Sequence, residues 1–404
     1  MSLSSSQPST FQRVLSPEHR ANPYPLYDLL RAEPIRQEPD GSFVVSAYEP
    51  VSTLLRDSRL SSDPDHSNRG GAKLSILNMD PPEHDRIRRI VMRCLLPAGS
   101  HGGFAALAPN LRAIVKGLID KLDRRTEIDI VADIAYPFPV TVVTDLLGVP
   151  RVDEPKFRVW ADAIVQATDR DPREVGVRSA GAQRAVEELG KYLFGLIETR
   201  RAEPKNDLIS RLVLYSGEEG PIAAPDLTAL AVLLLLAGHE TTVNLISNGM
   251  LTLLRNPHLS VLLATNPDVA PSFVEEVLRY EPPVHFTFRT ATEDIDINGT
   301  HIPEGSTVYL LLAAANRDGQ RFDKPDAFVP TRPDNRHLAF GTGIHNCLGA
   351  PLARLEGQIA LQEMTRRLLK PRLLQDPPPY RVNPSLRGPR QLLVSIEGID
   401  RQLL

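Results

Sequence analysis

The sequence is poor in cysteine and in long apolar runs. Only two of its 404 residues are cysteines, Cys94 and Cys347. Two cysteines cannot build the disulfide framework of a small secreted domain, which favours a reducing environment. The longest purely apolar run, 229–238, is about half as long as a membrane span, and the polar, serine-rich residues 1–11 do not resemble a signal peptide. We therefore expect a cytoplasmic protein without a membrane anchor.

The sequence also lacks an excess of charge of either sign. Its 46 basic and 50 acidic residues give a formal net charge of −4. A chain with this balance has no global attraction to nucleic acid or to an acidic membrane surface, and we expect neither as a partner. Internal repeats and linkers rich in proline, glycine or serine are absent from the sequence as well. Repeat architectures are therefore excluded.

Apolar residues recur with helical spacing through most of the chain, which predicts a mainly α protein with small β-sheets, of the α+β class. Residues 42–46 predict a short strand. Residues 294–298 and 307–312 predict a hairpin that turns at Asn298-Gly299. The predicted helices cover 25–31, 82–96, 109–122, most of 152–201 with a polar break near 169–172, 226–255 with Asp226 as its cap, and 271–280.

The most informative segment surrounds the second cysteine. Residues 340–349 read Phe-Gly-Thr-Gly-Ile-His-Asn-Cys-Leu-Gly, which predicts a tight loop, and a helix with proline in its first turn follows from Ala350. Cys347 thus lies just before a helix N-terminus, whose free N–H groups and dipole favour a thiolate. One thiolate is a poor zinc site, which needs about four ligands, but it suits the axial position of haem iron.

A second chemical motif lies within the long apolar helix. Residues 237–242 read Ala-Gly-His-Glu-Thr-Thr. We expect the Thr241 hydroxyl to bond the carbonyl of Ala237 and to distort the helix, and we expect Gly238 to leave room for a flat cofactor. Glu240 and Thr241 are adjacent and must point to different sides. A hydroxyl beside an acid can supply protons to reduced dioxygen.

Both segments resemble the cytochrome P450 family. The family's cysteine loop reads Phe-Gly-x-Gly-x-His/Arg-x-Cys-x-Gly and its helix reads Ala/Gly-Gly-x-Glu/Asp-Thr, and every fixed position is matched. The resemblance runs from about Asn22 to the C-terminus. It implies a single P450 domain over 1–404, with 1–21 as a poorly ordered lead. Haem b would lie between the long helix and the helix after the loop, with Cys347 as iron ligand and with Glu240 and Thr241 as catalytic residues.

The resemblance also implies roles for other positions. The spacing Glu276-x-x-Arg279 recurs elsewhere in the chain, but its position relative to both motifs selects it, together with Arg332, as a structural network that locks the loop. The implied haem-binding residues, four of them bases for the propionates, are His84, Arg88, Ala237, Gly238, Arg289, Phe340, Gly341, His345 and Gly349. The implied substrate pocket lies along 59–77 and parts of later helices, with Leu233, Leu234, Val284, His285 and Thr287 as lining residues.

The family's activity is insertion of one atom of dioxygen into a C–H or C=C bond. For this chain the resemblance implies an apolar or amphipathic substrate of the terpenoid, steroid, polyketide or fatty acyl class. Electrons would come from a separate ferredoxin and its reductase, with docking near Arg86, Arg89 and Arg93, and the protein would be a monomer. Two alternatives stay open: a peroxide-driven peroxygenase, and a non-catalytic haem sensor or scaffold.

Overall fold

A computed structural model describes residues 7–66, 75–95, 103–168 and 180–401. Helices dominate these residues, in agreement with the predicted class. In chain order they are α1 Thr10–Leu15, α2 Tyr24–Arg31, α3 Tyr48–Leu54, α4 Glu83–Cys94, α5 Ala108–Asp120, α6 Pro137–Leu147, α7 Glu154–Thr168, α8 Ala180–Ala202, α9 Leu208–Val213, α10 Ala224–Arg255, α11 Pro257–Thr265, α12 Ala270–Tyr280, α13 Leu312–Ala315 and α14 Ala350–Arg367.

The strands are short and form small sheets. The strands are β1 Ile35–Gln37, β2 Phe43–Val45, β3 Leu60–Ser61, β4 Glu127–Asp129, β5 Thr287–Ala291, β6 Ile295–Ile297, β7 Thr300–Ile302, β8 Thr307–Leu310, β9 Leu368–Leu369, β10 Arg372–Leu373, β11 Leu393–Ser395 and β12 Gly398–Ile399. The largest sheet has the order β1-β2-β8-β5-β3, with β2 and β8 parallel and the other pairs antiparallel.

Helix α10 is the central helix of the core and packs against α6, α8 and α14. Among the described residues it is the one helix that is long and apolar enough to cross a membrane, but 67% of its most apolar window is buried inside the protein. Its apolar side chains pack into two core clusters, with Leu245 in one and Leu230 in the other. This helix therefore owes its apolar character to the core of the fold.

Two glycines bring α10 and α14 close together. A Cβ added at Gly249 would lie 2.8 Å from Leu361, and a Cβ added at Gly357 would lie 3.1 Å from Leu245. Because Leu245 precedes Gly249 and Gly357 precedes Leu361, the helices run in the same direction at this contact. Preceding turns of the two helices lead back to the 237–242 motif and to the cysteine loop.

The predicted disordered lead is wrong from Ser9 onward. Ser9 caps α1 through a capping box with Gln12, and Phe11 and Val14 are buried. The Phe11 ring packs against Tyr309 of β8 at 4.7 Å between centroids. An apolar face that reaches the sheet thus orders this segment, while residues 1–6 lie outside the described part of the chain.

Other boundaries differ from the sequence predictions. The predicted turn at Asn298-Gly299 forms with positive φ at both residues, but it joins β6 to β7, and β8 pairs with β5 and β2 instead. Helix α10 begins at Ala224, and Asp226 lies in its first turn without capping it. Helix α6 and the π-helical turn before it, Val131–Ala135, were not predicted. The predicted polar break at 169–172 lies outside the described residues.

Candidate active site

The cysteine loop is a tight turn, as its glycines predict. Gly341 and Gly343 have φ of +65° and +75°, which glycine adopts without strain. A Cβ at Gly343 would lie 2.6 Å from the carbonyl oxygen of Leu55, so the loop packs directly on the end of α3. The Cys347 N–H donates to the carbonyl of Phe340 at 3.0 Å and closes the loop. The sulfur is therefore held at one fixed position just before α14.

The charge state of the Cys347 sulfur depends on two opposing effects. Burial raises the pKa of its thiol above the ordinary value, although hydrogen bonds from the backbone of Gly349 and Ala350 and the charges of Arg88 and Arg354 lower it. Burial outweighs these effects, although the N–H groups at the start of α14 lower the pKa of Cys347, the direction that the sequence predicts. A metal ion bound to the sulfur would remove the proton outright.

The loop is braced by the predicted acid–arginine network. Arg279 donates through Nε and Nη2 to the two carboxylate oxygens of Glu276, both at 2.8 Å, and Arg332 Nε donates to Glu276 at 3.1 Å. Asn335 and the backbone N–H of Val329 complete the shell of the carboxylate. Arg279 and Glu276 are fully buried. These bonds join α12 to the chain that leads into the cysteine loop.

A second brace was not predicted. Arg354 of α14 donates to Glu275 through Nε at 2.7 Å and through Nη2 at 2.9 Å, and the guanidinium lies 4.5 Å from the centre of the Phe340 ring. His337 bonds the same carboxylate at 3.1 Å. Burial would raise the pKa of Glu275, but these two partners lower it to about 2. No sequence pattern predicted this second brace, because it depends on which face of α12 meets α14.

Four bases gather beside the loop, as the resemblance implies. The rings of His84 and His345 lie 4.4 Å apart, and the Nε2 atom of each is buried with no hydrogen-bond partner among the described residues. Arg88 donates to the carbonyl of Asn346 at 2.8 Å. Burial, followed by the charges of Arg289, His84 and Arg88, lowers the pKa of His345 to about 3.

Arg289 completes this basic cluster from strand β5. It donates to Thr287 Oγ1 at 2.9 Å, and burial lowers the pKa of its guanidinium to about 10. The neighbouring bases lower the pKa of His345, and the buried Nε2 atoms of His84 and His345 have no partners among the described residues, so this cluster is suited to bind anions. The two propionates of haem have the required charge, so the chemistry of this donor set fits haem.

Helix α10 is open along one side only. Leu233, Ala237 and Thr241 are spaced four residues apart and are exposed or half-buried, whereas most of the helix is buried. The Thr241 hydroxyl donates to the carbonyl of Ala237 at 2.9 Å, as predicted, but the helix stays α-helical throughout, so the predicted distortion is wrong. Glu240 is buried and lies 3.6 Å from Nη1 of Arg381.

Gly238 and His285, two predicted site residues, differ in their surroundings. A Cβ at Gly238 would meet Val143 of α6 at 3.4 Å. His285 is buried and bonds the hydroxyl of Tyr27 through Nδ1 at 2.8 Å, and burial holds its pKa well below the usual value. It belongs to the core beside α2, and its predicted place in a substrate pocket is wrong.

The remaining predicted pocket residues are half-buried. Leu233 and Leu234 pack at the edge of a core cluster, Val284 pairs with Leu386 across an isolated bridge, and Thr287 accepts from Arg289. The predicted pocket segment 59–77 is described only up to 66 and from 75.

The predicted docking arginines lie on α4, where acidic partners engage all three. Arg86 pairs with Glu83 at 2.7 Å. Arg89 and Arg93 are both 56% exposed and share Glu219, at 3.4 and 2.8 Å. Glu219 thus balances one of these two arginines, and the charge of Glu218 also acts on Arg93.

Comparisons with known proteins cover nearly the whole chain. A family model described as Cytochrome P450 matches residues 268–388. The chain is 39% identical over 400 residues to cytochrome P450 monooxygenase PikC of Streptomyces venezuelae, covering 94% of this chain and 92% of that protein. P450BioI in complex with an acyl carrier protein ligated to hexadec-9Z-enoic acid is 35% identical with a TM-score of 0.86, covering 94% and 99%. CYP109E1 of Bacillus megaterium in complex with testosterone is 32% identical with a TM-score of 0.83, covering 93% and 99%.

Proposed function

Since the chain belongs to the cytochrome P450 family and is a haem-thiolate monooxygenase, we propose that it hydroxylates or epoxidises an apolar or amphipathic small molecule with one atom of dioxygen. The observation that carries this proposal is the pairing, on one core helix, of an open hydroxyl at Thr241 with a buried acid at Glu240. We further propose haem b as the cofactor, a separate ferredoxin and ferredoxin reductase as electron source, and a monomeric protein in the cytoplasm.

The residues around the loop would hold the haem. In this proposal Cys347 would bind the iron through its sulfur, and His84, Arg88, Arg289 and His345 would neutralise the propionates. When bound, haem with a thiolate ligand supplies the electron density that favours O–O cleavage. The uncharged residues of this set would shape the haem site, and they are Ala237, Phe340, Gly341 and Gly349.

Thr241 and Glu240 would divide the handling of protons. The Thr241 hydroxyl donates its hydrogen to Ala237, which leaves the oxygen lone pairs free to accept a hydrogen bond on the open side of α10. Glu240 is buried beside Arg381 and can be reprotonated from elsewhere. A hydroxyl in front of an acid therefore moves protons inward without opening the site to bulk water.

For the substrate we propose a molecule of the steroid, fatty acyl, polyketide or terpenoid class. The open side of α10 is lined by leucine and alanine, which suits an apolar ligand. The complexes of similar proteins with testosterone and with a fatty acyl carrier protein agree with such chemistry. Titration of the four classes against the haem absorption band tests the proposal. A response confined to small hydrophilic compounds would contradict it.

The acid and the hydroxyl on α10 argue against both alternatives, the peroxide-driven peroxygenase and the haem sensor or scaffold. A peroxide-driven enzyme has no need for an acid and a hydroxyl on α10, yet both are present. A sensor or scaffold would tolerate loss of these groups. Measuring NADH consumption with a surrogate ferredoxin pair, with and without peroxide, separates the three functions.

Thr241→Ala should uncouple the enzyme without unfolding it. Among the described residues the hydroxyl bonds only within its own helix, so we expect haem and substrate binding to persist. Without it, proton delivery should fail, and product per NADH should fall about tenfold while peroxide release rises. Parallel assays of NADH, peroxide and product measure this effect.

Thr242→Ala is the matched control for Thr241→Ala. Thr242 makes the same type of bond, to the carbonyl of Gly238 at 3.2 Å, but it is buried and off the open side. It should retain coupling. Equal coupling in wild type and Thr241→Ala would show that the threonine is only structural.

Charge reversal on α4 tests the proposed ferredoxin docking. Arg89→Glu and Arg93→Glu each make the local charge more negative by two, on a surface where Glu219 already neutralises one arginine. Ferredoxin-supported turnover should fall about tenfold at low ionic strength and less at high salt, where charges are screened. Peroxide-supported turnover should not change, since it bypasses the partner.

Arg201→Glu is the control for these reversals. Arg201 is 52% exposed, close to the exposure of Arg89 and Arg93, and it lies on α8 rather than α4. Its reversal should leave ferredoxin kinetics unaltered. If all three variants behave alike across ionic strengths, docking on α4 is wrong.

A further inference from the structure

The segment that joins α9 to α10, residues 214–223, is bonded to α4. Arg86 of α4 donates through Nη1 to the carbonyls of Glu219 and Pro221, at 3.0 and 3.3 Å. Its Nε and Nη2 atoms donate to Glu83, at 2.9 and 2.7 Å. Each nitrogen atom of this guanidinium thus has a partner within the chain. Arg86 therefore fixes the backbone of the joining segment against α4.

The Glu219 carboxylate holds the other two arginines of this face. Its side chain is 8% exposed, whereas those of Arg89 and Arg93 are both 56% exposed. Arg93 donates through Nη1 to Glu219 at 2.8 Å and to the hydroxyl of Tyr215 at 2.7 Å, and this hydroxyl donates to Glu219. Arg89 meets the other carboxylate oxygen through Nε at 3.4 Å. One shielded acid, supported by one hydroxyl, thus fixes two exposed bases.

Two glycines shape the segment around this contact. The N–H of Gly220 donates to the carbonyl of Gly217 at 3.0 Å, and Gly220 has a φ of +70°, so the chain turns tightly next to Glu219. A Cβ at Gly217 would lie 2.2 Å from the hydroxyl oxygen of Tyr215. A side chain there would displace the hydroxyl that bonds Arg93. The local sequence therefore permits this arrangement of acid and hydroxyl.

Both arginines keep donors that are not engaged within the chain. Among the described residues, Nη1 and Nη2 of Arg89 and Nε and Nη2 of Arg93 have no hydrogen-bond partner. An arginine has five N–H donors in a rigid fork that matches the geometry of a carboxylate. A long side chain loses rotamer freedom when a partner binds it, and a side chain that is already held loses less. These two arginines are exposed and already held, which suits docking of an acidic protein.

We propose that Glu219 and Tyr215 are positioning residues for the electron donor, which hold Arg89 and Arg93 ready for carboxylates of an acidic ferredoxin. Arg86 serves this surface as a clamp on the joining segment and does not contact the donor. The inference rests on the proposed monooxygenase function with ferredoxin docking on α4. It assigns to an acid of the protein itself a favourable role in binding an acidic partner.

Glu219→Met tests the proposal through the sign of its effect. Loss of a negative charge makes the face more basic, so charge alone predicts tighter binding of an acidic donor. Loss of positioning predicts weaker binding. We expect the KM for a surrogate ferredoxin to rise about fivefold at low ionic strength, while kcat at saturating ferredoxin changes less than about twofold. Steady-state turnover at varied ferredoxin concentration measures both constants.

Two further substitutions separate position from charge. Glu218→Met removes the same charge from the neighbouring residue, which is exposed and acts on Arg93 only through its charge among the described residues. The KM of this control should stay level or fall. Glu219→Gln keeps an oxygen acceptor without the charge. It should hold the KM within about twofold of the wild-type value.

Tyr215→Phe perturbs the same contact without any change of charge. Arg93 then loses one of the two partners of its Nη1 atom. The ferredoxin complex should dissociate about two to three times faster, whereas its association rate, which depends on charge, should not change. Binding kinetics on immobilised ferredoxin measure both rates. Haem content and peroxide-supported turnover should match the wild type in Tyr215→Phe and Glu219→Met.

The outcomes separate this inference from the proposed function. If Glu219→Met and Glu218→Met shift the KM in the same direction or leave it unchanged, Glu219 acts only through its charge and the inference is wrong, while the monooxygenase function stands. Loss of haem in Glu219→Met with unaltered dissociation in Tyr215→Phe would assign the segment a purely structural role and would also overturn the inference. Failure of the wild type to form product with any ferredoxin would instead overturn the proposed function.

Discussion

Cys347→Ser should lose both the red-shifted absorption band of the reduced, carbon-monoxide-bound protein and all monooxygenase activity. The loop presents this one sulfur through a fixed backbone bond between Cys347 and Phe340. A serine oxygen is a harder donor that stays protonated, so it cannot supply the electron density of a thiolate to the iron. The absorption spectrum, haem content and product formation, measured on one preparation, check the result.

The other cysteine is the control for this substitution. Cys94 is buried in a core cluster near the end of α4, with its sulfur 3.5 Å from the carbonyl of Arg211. Burial raises the pKa of its thiol, as expected for an unreactive packing residue. Cys94→Ala should keep the band and the activity. A Cys347→Ser protein that retains both would refute the assignment of the ligand.

Glu276→Ala should destabilise the protein more than any other single substitution considered. The carboxylate balances the buried guanidinium groups of Arg279 and Arg332. Removing it leaves both charges unpaired, at a cost of about 3–5 kcal/mol, which is a large part of the 5–15 kcal/mol that stabilises a typical domain. Urea unfolding of the haem protein measures the loss, and haem retention reports whether the loop keeps its shape.

The pair Glu198 and Arg201 is a matched comparison on α8. It has the same residues, the same spacing and a 3.4 Å separation, but its side chains are about half exposed. Glu198→Ala should change the free energy of unfolding by less than about 1 kcal/mol. Glu276→Gln, which keeps the shape without the charge, should lie between them. Similar losses of unfolding free energy in Glu198→Ala and Glu276→Ala would show that the buried network has no special role in stability.

Interactions within short segments could be predicted from the sequence. The cysteine loop depends on glycines that permit positive φ, and the Thr241 bond depends only on helical spacing. The basic cluster was predicted because the resemblance supplied four separate positions. In each case the residue types and their local spacing carried the information.

Interactions that depend on packing between distant elements could not be predicted. The bond between Glu275 and Arg354 spans 79 residues, and nothing in the sequence says that α12 and α14 meet at those positions. His285 was misplaced because successive side chains in extended backbone point to opposite sides, and a single position decides between core and pocket. The predicted hairpin of 294–298 with 307–312 was wrong for a simpler reason. A two-residue turn pairs the strands on either side of it, and these are β6 and β7.

The glycine contacts between α10 and α14 also limit how this chain could be recombined with its relatives. Gly357 faces Leu245, and Gly249 faces Leu361, so each close contact has one small and one large member. In a chimaera that took its cysteine loop and α14 from another protein, one member of each pair would come from each parent. An alanine at 357 would push Leu245 by a few tenths of an ångström, and both helices would carry that shift into the site. The smallest exchangeable unit is therefore α10 together with α14, although several other elements separate them along the chain.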